Sequence, residues 1–419
     1  MINSVTVVGL GYIGLPTAAA LATQRINVLG VDVDDKIIEK INRGEIHIVE
    51  PELDVAVQAA VTRGFLKAAN KAEQADAFLI AVPTPFKDDH EPDLSYIEKA
   101  AAGIAPVLKR GDLVVLESTS PVGATEQLSV WLSEHRPDLS FPHDQGESSD
   151  IRVAHCPERV LPGKVMYEIS NNDRVIGGIT QACAIRAREL YETFVRGECL
   201  LTDARTAEMC KLAENAARDV NIALANELAN VCDQFDINAW ELIELANRHP
   251  RINILQPGPG VGGHCIAVDP WFIISQSREK TPLLQAARHV NDSRPKQVVE
   301  QVHEAVKSYE QNKGINAKDI TIACFGLAFK ADIDDLRESP SMGIALALAN
   351  SHPGKVIGVE PNISELPTSA ESPLMLESLE QALLSADIYL LLVDHREFKR
   401  FNPARAGRVT IDTRGIWPQ

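Results

Sequence analysis

The hydrophobic pattern opens with a short β-branched run at residues 4–9, an Ala-rich helical stretch at 13–24 and a return to strand chemistry at 26–32. This predicts a βαβ unit. Strand-like runs recur at 78–82, 113–117, 153–156 and 175–177, separated by helical stretches such as 95–108 and 125–135. Such alternation predicts a mostly parallel sheet covered by helices on both faces. From about Thr202 the pattern changes. Residues 203–235 carry Ala, Leu, Val and Ile at helical spacing with no Gly or Pro and read as one long helix, of a length that commonly links domains or builds a dimer seam. Helical sequence at 239–247, a Pro/Gly-rich loop at 256–264 and helix at 283–309 follow. After the Asn312-Lys313-Gly314 break, strands at 320–325, 356–360, 388–393 and 409–411 alternate with helices at 342–350 and 379–385. The fold class expected is α/β, with two Rossmann-like doubly wound domains joined by a central helical region. The boundaries expected are 1–201, 202–310 and 311–419.

Composition narrows the function. The 419 residues suit two or three domains. Lys plus Arg is 41 against 58 for Asp plus Glu, a net charge of −17 with no basic cluster, which argues against nucleic-acid or anionic-membrane binding. The N-terminus lacks the basic and apolar regions of a signal peptide, and no apolar run reaches about 18 residues, so a cytoplasmic, soluble protein is expected. Seven scattered cysteines with no C-x-x-C pair indicate neither a disulfide framework nor a zinc site.

Gly9-Leu10-Gly11-Tyr12-Ile13-Gly14 fits G-x-G-x-x-G between a strand and a helix, the context of a dinucleotide fingerprint. Gly9 permits the tight turn, Gly11 lets the backbone approach a pyrophosphate, and Gly14 allows the helix to pack closely on the strand. Asp32 ends the second strand, where a carboxylate can accept from a ribose 2′-hydroxyl and repel a 2′-phosphate, favouring NAD over NADP. Thr84 and Thr119 follow later strands, at the sheet edge where ligands gather; plain turn chemistry explains them equally.

Cys265 follows the run Pro257-Gly258-Pro259-Gly260-Val261-Gly262-Gly263-His264, with Asp269 beyond it. Room beside the thiol makes it the best nucleophile candidate, although a buried inert thiol is the commoner case. Lys211, Asn215 and Arg218 share one face of the long helix. That face is either a solvated stripe or the wall of a cleft in which Lys211 serves as acid/base or stabilises an oxyanion. Glu158 and Arg159, in Cys156-Pro157-Glu158-Arg159-Val160-Leu161-Pro162-Gly163, stand just beyond a strand, one suited to activating water and the other to binding phosphate. The second α/β region offers Phe329-Lys330 and Arg337 at its own strand end.

Together these motifs resemble the UDP-glucose/GDP-mannose dehydrogenase family, in order from Gly9 to Arg337. The resemblance implies an NAD-binding domain, a central helical dimerisation region and a C-terminal nucleotide-sugar domain. It also implies a sugar C6 alcohol oxidised twice, to a carboxylate, with two NAD consumed. On that resemblance Lys211 and Asn215 position the C6 oxygen, Thr119 and Asp269 hold a water, Cys265 carries the thiohemiacetal and thioester, and Glu158 aids hydrolysis. Gly9, Gly11, Tyr12, Ile13, Gly14, Asp32, Thr84, Thr119 and Arg337 would contact the cofactor. Arg159, Val160, Lys211, Asn215, Arg218, His249, Arg251, Gly262, Phe329, Lys330 and Arg414 would contact the UDP-sugar, with His249 and Arg251 supplied by the partner in a homodimer. The family's usual Lys before the Cys-loop aspartate is absent from Cys265-Ile266-Ala267-Val268-Asp269-Pro270. The runs Asn247-Arg248-His249-Pro250-Arg251-Ile252-Asn253-Ile254 and Arg43-Gly44-Glu45-Ile46-His47-Ile48-Val49-Glu50-Pro51 resemble the N-acetylhexosamine branch. A nucleotide-sugar epimerase and a non-catalytic NAD sensor are rival readings; neither needs Cys265.

Overall fold

Apolar runs at the central strands are continuous rather than alternating because those strands are covered on both faces. The computed structural model describes the chain except residues 1, 49, 162, 264, 368–372, 404–406 and 418–419. Val49, Pro162 and His264, which fall within the motifs above, therefore lie outside the described residues. Successive residues of one strand enter different cores. Val5, Val7, Leu79, Val115 and Ala154 pack with Leu15 and Leu21, whereas Phe78, Ile80, Val114, Leu116 and Val153 pack with Ile97, Leu128 and Leu132.

The molecule divides into two compact units. The first, Met1–Glu214 with Trp271–Gln276, holds strands β1 (Ser4–Val8), β2 (Asn27–Val31), β3 (Leu66–Ala69), β4 (Ala77–Ile80), β5 (Leu113–Leu116), β6 (Arg152–His155), β7 (Arg174–Gly178) and β8 (Cys199–Asp203). Their spatial order is β3-β2-β1-β4-β5-β6-β7-β8. Every pair is parallel except β6 with β7, where His155 faces Gly177. The winding reverses between β1 and β4, and the carboxyl ends of those strands frame the ligand-binding crevice of an open α/β sheet.

The second unit, Asn215–Pro270 with Ser277–Gln419, contains β9 (Ile322–Phe325), β10 (Val356–Val359), β11 (Met375–Leu376), β12 (Ile388–Leu391) and β13 (Val409–Asp412). Their order β11-β10-β9-β12-β13 is parallel throughout and repeats the same winding about β9 and β12. The expected long helix is present as Ala204–Phe235, and the one expected at 283–309 extends over Pro282–Lys313. Polar side chains align these two helices within the second unit. Arg288 donates to Asp219 at 2.6 Å and Asn226 donates to Asn291 at 2.9 Å, all four buried. A buried ion pair is weak evidence for net stability, but losing one partner leaves an uncompensated charge, so misaligned packing is penalised.

Among the described residues no helix is long and apolar enough to cross a membrane. His155 on β6 is fully buried, and among the described residues neither ring nitrogen has a hydrogen-bond partner. Burial pushes its pKa down to about 3 from the ordinary 6.5. A histidine with a depressed folded pKa gives stability that is present above pH 6.5 and lost as pH falls through 3, here about 4–5 kcal/mol at full extent. The expected result for His155→Leu is a loss of this component of acid sensitivity, measured as the midpoint of urea unfolding between pH 7 and pH 4.

Candidate active site

The glycine loop is shaped by three different demands. Gly9 has φ +91°, and a Cβ there would lie 2.5 Å from the Ala81 carbonyl oxygen. At Gly14 a Cβ would lie 1.8 Å from the Gly9 oxygen, whereas at Gly11 it would meet nothing within 4 Å. The first and last glycines are required by the fold; Gly11 leaves open space before the helix Gly14–Thr23, whose N-terminal end suits an anion. Asp32 secures the loop from the end of β2, accepting from Leu10 N–H at 2.9 Å and Asp34 N–H at 3.0 Å. Tyr12 is exposed and Ile13 half-buried at the same turn. Gly14→Ala is expected to destabilise the protein by several kcal/mol, on the order of 3 or more. Gly11→Ala is expected to leave stability within about 0.5 kcal/mol while weakening NAD binding at least ~10-fold, because the methyl occupies the approach to the pyrophosphate. Thermal unfolding beside an NAD titration separates the two.

Thr84 follows β4 and Ser120 follows β5; both hydroxyls are buried without a hydrogen-bond partner among the described residues. Unsatisfied buried hydroxyls after β4 and β5, at the strand ends where an open α/β sheet takes its ligand, suit a polar group that completes them, so the residues present fit a dinucleotide. Thr119, between Ser118 and Ser120, is half-buried.

The helix Ala204–Phe235 brings Lys211 into this unit with an acid one turn to either side. Both acids are engaged elsewhere. Glu208 is buried and accepts from Gly123 N–H at 2.6 Å, Thr125 N–H at 2.7 Å and the Thr125 hydroxyl at 2.6 Å, capping the helix Ala124–His135. Burial raises its pKa against these hydrogen bonds. Glu214 pairs with Arg159 at 2.7 Å. Lys211, half-buried, therefore has no carboxylate within 4 Å among the described residues.

The Pro-Glu-Arg loop is held from several directions. Glu158 is buried, accepts from Arg159 N–H at 2.7 Å and pairs with the buried Arg174. Glu50 accepts from Gly163 N–H at 2.9 Å and Val165 N–H at 2.8 Å, which gives that acidic residue of the Arg43–Pro51 run an anchoring task. Val160 packs on the core of the first unit.

In the second unit, buried Asn215 donates to buried Asp269 at 2.5 Å. The turn at Cys265 is closed by its carbonyl, which accepts from Val268 N–H at 3.1 Å and Asp269 N–H at 2.9 Å. Cys265 is exposed, whereas Cys156, Cys183, Cys232 and Cys324 are buried and Cys199 and Cys210 half-buried. Burial pushes Cys156 and Cys324 up to about 12. The preceding glycine run is pinned by Asn226, which accepts from Gly258 N–H at 2.9 Å, and by Arg294, which donates to the Gly258 carbonyl at 3.1 Å. A Cβ on Gly262 would lie 3.1 Å from the Phe329 Cβ, and one on Gly258 would lie 2.7 Å from an Arg414 nitrogen. Arg414 pairs with Asp394 at 2.9 Å beside a cavity of about 750 Å³ that Trp240, Arg248 and Gln256 also line. Arg337 pairs with Asp335 at 2.6 Å.

The residues 3–195 match the NAD-binding domain, 205–293 the central domain and 323–419 the UDP-binding domain of the UDP-glucose/GDP-mannose dehydrogenase family. The chain belongs to that family. It is 59% identical to a UDP-N-acetyl-D-mannosamine dehydrogenase of Yersinia pestis over 99% of both chains. It is 60% identical to an NDP-N-acetyl-D-galactosaminuronic acid dehydrogenase of Ralstonia nicotianae, over 99% of this chain and 96% of the relative. A solved UDP-D-ManNAc dehydrogenase from Pyrococcus horikoshii is 39% identical, with a TM-score of 0.89 over 99% of this chain and 96% of the other.

As a member of this family, the protein places its sequence motifs in a few clusters. In the first unit, Arg159, next to Glu158, pairs with Glu214 on the helix that carries Lys211, and Ala81 and Val82, shortly before Thr84, border Gly9. In the second, Asn215 meets Asp269, and Gly262 meets Phe329. Arg218, His249, Arg251 and Lys330 are exposed and outside those clusters. Sequence reasoning missed Glu208, Tyr191, Arg174, Glu360 and His395. Glu360 accepts from Leu327 N–H at 2.8 Å and Ala328 N–H at 3.0 Å, the arrangement that Asp32 makes with Leu10. His395 faces it at 3.0 Å. The signal that could have revealed this repeat is Gly326-Leu327 after β9 with an acid ending the next strand, a parallel to Gly9-Leu10 with Asp32.

Proposed function

We propose that this protein is an NAD-dependent UDP-N-acetyl-D-mannosamine 6-dehydrogenase that forms UDP-N-acetyl-D-mannosaminuronate for a bacterial surface polysaccharide. The observation that carries the chemistry is Cys265, an exposed thiol on an ordered turn that leads into Asp269 and its partner Asn215. Identity of 57–59% to enterobacterial UDP-N-acetyl-D-mannosamine dehydrogenases supports the substrate. Bound NAD supplies a hydride acceptor twice. Lys211 and Asn215 bind the C6 oxygen and stabilise its developing negative charge, with a water held by Thr119 and Asp269. Cys265 adds its sulfur to the resulting aldehyde, giving a thiohemiacetal whose oxidation leaves a thioester. Water, deprotonated with the help of Glu158, attacks that thioester, and the thiol is regained as the carboxylate leaves.

The domains assigned are 1–201 for NAD, 202–310 for dimerisation and catalysis, and 311–419 for the nucleotide sugar. Arg159, Val160, Arg218, Gly262, Phe329, Lys330 and Arg414 contact the sugar nucleotide, with His249 and Arg251 donated by the partner, and Arg337 assists the cofactor. Exposed Leu224, Val231 and Phe235 fall at helical spacing on Ala204–Phe235 and support a homodimer. The site of action is the cytoplasm, where both nucleotides are found.

A second reading, the N-acetylgalactosamine series, is favoured by the 60% identity to the Ralstonia relatives. UDP-N-acetylglucosamine is a further alternative substrate. The deciding experiment supplies UDP-N-acetylmannosamine, UDP-N-acetylgalactosamine, UDP-N-acetylglucosamine or UDP-glucose as the limiting reagent under excess NAD. Two NADH per sugar with the mannosamine compound alone is the expected result. The same yield with another sugar moves the specificity, and no NADH from any returns the protein to the sensor or epimerase readings.

A further inference from the structure

The reaction proposed above asks Glu158 to accept a proton from water, and the inference here rests on that reading. Glu158 does not stand alone: a second buried carboxylate shares its cation. Arg174, only 2% exposed, pairs with Glu158 and lies 5.7 Å from the centre of the Tyr191 ring. The Tyr191 hydroxyl donates to Glu117 Oε1 at 2.6 Å, while Glu117 Oε2 is buried with no hydrogen-bond partner among the described residues.

Glu117 follows β5, its N–H donates to the carbonyl of Ile80 at the end of β4, and its carboxyl is enclosed by groups from several neighbouring elements. Tyr191 comes from the helix Gln181–Tyr191, Cys156 and Glu158 from the segment after β6, and Arg174 from β7. Thr17 of the helix Gly14–Thr23 completes the enclosure, its own hydroxyl given to the Ile13 carbonyl at 3.0 Å. The compartment thus holds two carboxyls and one guanidinium. Arginine stays charged, and one cation can neutralise one anion. Glu158 has the direct contact, so Glu117 is the group that keeps a proton. Burial pushes Glu117 up to about 7, while burial also raises Tyr191 and takes Cys156 to about 12, so neither of those shares the charge near neutrality.

We propose that Glu117 is a positioning residue for thioester hydrolysis, its proton setting the basicity of Glu158 through Tyr191 and Arg174. When Glu117 gives up that proton, a second anion draws on Arg174. The charge on Glu158 is then less fully neutralised by Arg174, and it draws the proton of the attacking water more strongly. Hydrolysis of the Cys265 thioester should therefore accelerate as pH rises through neutrality.

The test follows the thioester by rapid quench and mass spectrometry from pH 6 to 9, with the first NADH burst recorded in parallel. In the wild type, breakdown is expected to rise with a midpoint near 7. In Glu117→Gln, which preserves the acceptor for Tyr191 but cannot ionise, breakdown should stay on the low plateau, roughly threefold to tenfold below wild type at pH 8. The rate of the first burst and its pH dependence should be unchanged. Tyr191→Phe supplies an independent variant. Losing the donor to the Glu117 anion should move the midpoint upward, and an unmoved midpoint counts against the proposal even if the Gln variant does not fold. A wild-type pH profile in Glu117→Gln overturns the proposal and leaves the dehydrogenase reading intact. If the wild type forms no thioester at any pH, the dehydrogenase mechanism fails first and the role of Glu117 falls with it.

Discussion

Cys265→Ala is expected to stop uronate formation altogether and to cap NADH at one per sugar. The first oxidation needs only an alcohol, a cation to hold its oxygen and a hydride acceptor; the second needs a tetrahedral adduct that a bare aldehyde does not offer. Removing a covalent nucleophile commonly costs ~10⁴ or more in turnover. Burial holds Cys156 and Cys324 up at about 12 and raises Cys199 and Cys232 as well, so none of these four offers a ready thiolate in its place. The turn itself should keep its closing hydrogen bonds from Val268 N–H and Asp269 N–H, because the backbone carbonyl of residue 265 that accepts them is present in the Ala variant. NADH yield from limiting sugar, with the aldehyde captured by a hydroxylamine, checks the result. Two NADH per sugar from the Ala variant would falsify the covalent route.

Much of this architecture is legible in the chain because burial on both faces writes itself as unbroken apolar strands, and because Gly9, Gly14 and Asp32 have no ordinary structural substitutes. What escaped notice has a physical pattern. β3 is the four residues Leu66–Ala69, with Lys67 exposed, and β8 lies at the sheet edge with exposed Leu200 and Asp203, so neither shows the apolar density of a central strand. The antiparallel pairing of β6 with β7 is invisible to periodicity, since side chains alternate identically in either direction. The buried polar cluster was hidden for a different reason. Glu117 reads as the polar end of a strand, and Tyr191 ends a helix that the apolar pattern does not bound, yet their side chains meet across 74 residues of sequence. Glu158 stood out by its motif, but nothing in that motif announces Arg174. Charge in a protein interior depends on what folds against it, and a linear pattern carries no record of such partners.

Lys211→Met is expected to lower kcat by about 10³ while leaving NAD affinity and thermal stability close to wild type. The magnitude is that of removing one preorganised group aimed at a developing oxyanion. The separation of activity from stability comes from the acids around it. A lysine with glutamates three residues before and after it on a helix would ordinarily gain a few tenths of a kcal/mol from each. Here Glu208 is committed to Gly123 and Thr125, and Glu214 to Arg159. Removing the ammonium thus breaks no ion pair among the described residues. The same commitments explain why arginine should not rescue activity: a broad planar fork cannot occupy the position of a compact point charge. Steady-state kinetics on Lys211→Met and Lys211→Arg, each with an unfolding midpoint and an NAD titration, distinguish the two roles left open by the sequence. A solvated stripe would lose neither activity nor stability, whereas a cation kept unpaired for the substrate loses activity alone.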